Sequence, residues 1–90
     1  MEDNIVQVYY VDCRIKSHRF DPDQTLLRIR VKTDWGRTLD LFSRRVDAEK
    51  YAQLVQDLRH SRHWRVYYFA ETKEIHKMRS TTLADLCLIQ

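Results

Sequence analysis

The sequence predicts an α+β fold: an antiparallel sheet of four to five strands, one main helix on one face and a short C-terminal helix, in the order β-β-β-α-β-(β)-α. Three observations carry this reading. Several runs rich in β-branched and aromatic residues suit strands, and 25–33 and 37–43 alternate cleanly at period two. One segment, 48–61, places its apolar residues at helical spacing. A lone glycine, Gly36, separates the two alternating runs at the distance a hairpin needs.

Residues 5–16 read as a long first strand. Ile5, Tyr9, Val11, Cys13 and Ile15 share one parity, and Val6, Val8 and Tyr10 the other, so its first half is apolar on both faces. Asp21-Pro22-Asp23 then marks a turn, because proline presets φ and aspartate bonds the nearby backbone.

Leu27, Ile29 and Val31 alternate with Arg28, Arg30 and Lys32 over residues 25–33, and residues 37–43 alternate likewise. A two-residue loop at Trp35-Gly36 would set Val31 against Asp40 and mix the faces. A three-residue loop over 34–36 pairs Val31 with Leu39, Ile29 with Leu41, Arg30 with Asp40 and Arg28 with Phe42. Face consistency selects the longer loop.

Asp47 predicts an N-cap for a helix over 48–61, with Val46 and Tyr51 at staple positions. Ala48, Tyr51, Ala52, Leu54, Val55 and Leu58 form its apolar stripe, and the expected seat is the Leu27/Ile29/Val31 face. Arg59, His60 and Arg62 near its end complement the dipole. Residues 63–70 read as another strand apolar on both faces, and 75–79 as a short one. The tail over 80–90 reads as a short helix, with a last strand as the alternative. One helix covers one sheet face, so the second needs the tail, a second copy or a partner.

Ninety residues at 11.0 kDa predict one domain, 1–90, with a modest core. No apolar run reaches the roughly 18 residues of a membrane helix, and the acidic start lacks the basic region of a signal peptide. With only Cys13 and Cys87, a cytoplasmic location is the simpler expectation. The net charge of +3 is unevenly spread: 14–32 and 59–79 carry +4 each, and 1–13 carry −3. Arginine outnumbers lysine 11 to 5, which suits bidentate binding of carboxylate or phosphate, although the 13 acids neutralise much of it.

No catalytic residue, metal site or cofactor is expected. His60 and His63 stand at i, i+3, but no tight pair of further ligands accompanies them. Cys13 and Cys87 sit in apolar runs and read as small buried hydrophobes. Asp21 and Asp23 share a polar turn that gives them no opposed environments. Arg44-Arg45 precede the helix, where Asp47 and Glu49 already supply negative charge.

The functional expectation is a small non-enzymatic regulatory or inhibitory protein acting through protein contacts, of the kind a virus or mobile element encodes. The alternative is a nucleic-acid-binding module built on a basic, aromatic sheet face, for which the Gly-aromatic signature of RNA-recognition domains is lacking. Arg28, Arg30, Lys32, Phe42, Arg59, Arg62 and Arg65 are the expected binding residues in either case. Val6, Val8, Tyr10 and Phe69 are the expected interface of a homodimer.

Overall fold

Alternation and turn chemistry become five strands and one helix in the computed structural model, which describes residues 6–81. The elements are β1 (Val8–Asp21), β2 (Leu26–Thr33), β3 (Thr38–Ser43), α1 (Ala48–His60), β4 (His63–Phe69) and β5 (Ile75–Thr81). They form one antiparallel sheet in the order β3-β2-β1-β4-β5. The α+β class holds. Among the described residues, no helix is long and apolar enough to cross a membrane.

The β2–β3 hairpin has the register that face consistency selects, with Val31 opposite Leu39, Ile29 opposite Leu41, Arg30 opposite Asp40 and Arg28 opposite Phe42. Gly36 closes the loop at φ +86°, a left-handed conformation that a Cβ would strain. Its N–H donates to the Thr33 carbonyl at 2.9 Å.

The first strand is longer than expected. It runs on to Asp21 and serves two neighbours: Val8–Cys13 pair with β4, and Cys13–Asp21 pair with β2. A bulge lets this happen. Ile15 lies opposite Val31 and Ser17 opposite Arg30, so Lys16 is the extra residue. Parity reverses there. Cys13 and Ile15 point to the core before the bulge, and His18 and Phe20 pair with the buried residues Ile29 and Leu27 after it. Period-two reading fails at such a point, which is why 17–20 did not read as strand.

Cys13, Leu27, Ile29, Val31, Leu41, Val46, Trp64, Val66 and Tyr68 make the core. Helix α1 starts where its cap predicts: the Asp47 carboxylate accepts a hydrogen bond from the Lys50 N–H at 2.8 Å. Tyr51, Leu54 and Leu58 pack against the core, yet no helix residue is fully buried. The helix meets the core through the half-buried side of its apolar stripe. Its anchor is Tyr51, whose ring stacks on Phe20 at 4.7 Å and whose hydroxyl meets His18 Nδ1 at 2.7 Å.

The two outer strands meet at one end. Phe42 and Glu74 form an isolated parallel bridge, the Phe42 N–H donates to the Lys73 carbonyl at 3.2 Å, and Arg44 pairs with Glu74 at 3.0 Å. Arg44 thus binds inside the protein. The expected C-terminal helix is corrected at its start, because Ser80 and Thr81 complete β5 by pairing with Trp64 and His63. The rest of that helix, with Cys87, lies outside the described residues.

Candidate nucleic-acid interface on the outer sheet face

Directly opposed residues of an antiparallel ladder share a side of the sheet. On the side away from the core, Arg14 faces Lys32, Ser17 faces Arg30 and Arg19 faces Arg28. Strand β3 continues these rows with Thr38, Asp40 and Phe42. Ser17, Arg19, Arg28, Arg30, Asp40 and Phe42 border an open groove of about 540 Å³. Arg28, Arg30, Lys32 and Phe42, chosen from sequence, do share one surface.

The cations on it differ in availability. Arg30 donates to Asp40 from Nε at 2.8 Å and from a terminal nitrogen at 3.3 Å. That bond holds the Asp40 carboxyl below its ordinary pKa and the Arg30 guanidinium above its own. Both side chains are exposed, so the pair orients more than it stabilises. Arg14, Arg19, Arg28 and Lys32 make no ion pair among the described residues.

The other expected cations lie elsewhere. Arg65 is on β4, half-buried, and its guanidinium grips both oxygens of Asp12 at 2.7 and 3.0 Å. Hydrogen bonding to Asp12 pushes its pKa above the ordinary arginine value. Arg65 is already satisfied. Arg59 is exposed in the last turn of α1. Arg62 borders a separate hollow of about 320 Å³ with Arg14, Lys16 and His18. Of the expected dimer residues, Val8 lies opposite Phe69 on the same side of the sheet as Tyr10; Val6, Val8 and Tyr10 are exposed, and Phe69 is half-buried against His76.

Sequence reasoning missed Arg19, Ser17 and Trp35. Arg19 reaches this face only through the bulge, and the one local sign is that apolar parity changes between Ile15 and Phe20. Trp35 stands at the tip of the β2–β3 hairpin and is 90% exposed, an aromatic that the core does not use. Among the described residues, no group of three or more His, Cys, Asp or Glu is arranged to hold a metal. Cys13 is buried, and burial pushes its thiol up to about 12, far from a nucleophile's range.

No protein family, curated protein or solved structure matches this chain.

Proposed function

We infer that this is a non-enzymatic binding protein whose outer β1–β2–β3 face holds single-stranded nucleic acid. One observation carries the reading: Arg19 and Arg28 sit directly across from each other, next to Phe42, with no carboxylate pairing either among the described residues. Two arginines so placed repel, and a protein tolerates that where an anion relieves it. Arg14 opposite Lys32 repeats the arrangement two rows away. Phosphates between these rows and bases against Phe42 and Trp35 satisfy both chemistries.

The connectivity supports the same reading. A sheet ordered β3-β2-β1-β4-β5, its ends drawn together by a parallel β3–β5 bridge and with a helix between β3 and β4, has the strand plan of an OB-type barrel. That partly open five-stranded barrel commonly binds oligonucleotides on its second and third strands. The resemblance is one of connectivity, and it agrees with a site located from charge alone.

A protein partner or a second copy of the chain is the second reading. It draws on Val6, Val8 and Tyr10, exposed apolar side chains of one parity, with half-buried Phe69 opposite Val8 on the same side.

Fluorescence anisotropy with labelled oligothymidylate tests the first reading. Binding should weaken with salt, and Arg19→Ala with Arg28→Ala should lower the slope of log K against log salt by about 1.4, two phosphate contacts at roughly 0.7 each. A slope that the double change leaves untouched, or no binding at low salt, overturns the reading.

A further inference from the structure

We propose that Tyr10 and Tyr67, with Lys77 beside them, form a base-stacking platform that takes the single strand beyond the β1–β2–β3 face. The proposal rests on the single-strand reading above and adds a second contact point to it. Tyr10 and Tyr67 are opposed across the β1–β4 ladder, with ring centroids 5.7 Å apart and planes tilted by 43°. Tyr10 leaves 56% of its surface exposed. Two cations rim the pair: the Arg65 guanidinium carbon lies 4.8 Å from the Tyr10 centroid, and Lys77 Nζ lies 4.8 Å from that of Tyr67.

The two cations have different parts. Arg65 is neutralised by Asp12, so it braces the Tyr10 ring and offers little to a phosphate. Lys77 pairs with no carboxylate among the described residues and is available to a phosphate. The exposed Tyr10 ring supplies a π-face to a base, half-buried Tyr67 backs it, and the ammonium supplies the charge for the backbone that carries the base.

Position makes the platform an extension of the first site. Along β1, Tyr10, Asp12 and Arg14 before the bulge and Ser17 and Arg19 after it all lie on the outer side of the sheet. From Tyr10 to Arg19 the strand covers roughly 27–30 Å at about 3.3 Å per residue. An extended strand of on the order of five nucleotides spans that distance, near the lower end of the site sizes of single OB folds. Phe42 then stands at one end, the tyrosines at the other, and Arg14 with Lys32 between them.

The experiment compares labelled thymidine trimer, thymidine nonamer and an abasic sugar-phosphate nonamer by anisotropy, in parent and variants. The parent should bind the thymidine nonamer at least about tenfold more tightly than the trimer. Tyr10→Ala should weaken thymidine nonamer binding about tenfold, the scale of one lost stacking contact, and leave the abasic nonamer unchanged. Tyr10→Phe should behave as the parent, and Arg19→Ala with Arg28→Ala should weaken both nonamers. Urea melts matching the parent exclude unfolding, which exposed Tyr10 makes easy to satisfy. Equal loss on both nonamers, or no loss on either, overturns the platform while leaving the first site in place. A parent that binds neither nonamer overturns both readings. Sedimentation equilibrium explains a result with no loss on either nonamer: a dimer that Tyr10→Ala splits, with nonamer affinity per subunit unchanged, makes this a self-association surface and removes the platform.

Discussion

Arg19 lies directly across the β1–β2 ladder from Arg28, two like charges at adjacent positions of one sheet face. Such pairs weaken a sheet, whereas an opposite-charge cross-strand pair strengthens one by about 0.2–1 kcal/mol. The free protein therefore carries a small electrostatic penalty at the place where an anion would be bound. Stability and binding oppose each other at this position.

Arg19→Glu should separate the two. It converts the repulsive pair into an attractive one, so the urea midpoint should rise at low salt. The gain should fade as salt shortens the screening length to a few ångströms. Oligonucleotide binding should fall in the same variant. A lowered midpoint, or a midpoint change that salt leaves untouched, would contradict the electrostatic account of this pair.

Val31→Asp tests the division between core and outer faces. Val31 is fully buried, beside Ile15 and Leu39 across its two ladders. A carboxylate there has no partner, so the change should cost roughly several kcal/mol or prevent folding. Lys32→Asp, one residue on, exposed and opposite Arg14, should cost nothing and raise the midpoint slightly at low salt in the same urea melts. Equal effects of the two changes would mean the faces are misassigned.

Cys13 gives a pH signature with a definite sign. Burial first, then the charges of Asp12 and Asp34, raise its thiol from 9.0 to about 12 in the folded protein. Above about pH 9 the unfolded chain loses that proton while the folded one keeps it, so the folded state binds more protons. Stability should therefore be unaffected by this group below pH 9 and fall between about 9 and 12, at up to about 1.4 kcal/mol per pH unit. Cys13→Ala should flatten that alkaline limb relative to the parent. An unchanged limb would show that Cys13 is not its cause.

Local pattern by itself determined the β2–β3 hairpin and the start of the helix. In the hairpin, loop length and face consistency leave a single register, and both act over residues 27–43. Asp47 acts over three residues, through one bond to the Lys50 N–H. Tertiary structure decided what the function rests on. The Lys16 bulge is an extra residue whose place depends on β1 having to match β4 with one half and β2 with the other, and no local propensity encodes two partners at once. That bulge brings Arg19 to Arg28. Pairing across 53 residues takes Arg65 out of the set of available cations by giving it Asp12. Helix α1 is anchored by a contact outside its own segment, because Tyr51 finds its stacking partner in Phe20, beyond the bulge. Sequence alternation assigns residues to faces only while the register is unbroken; here the break in register composes the site.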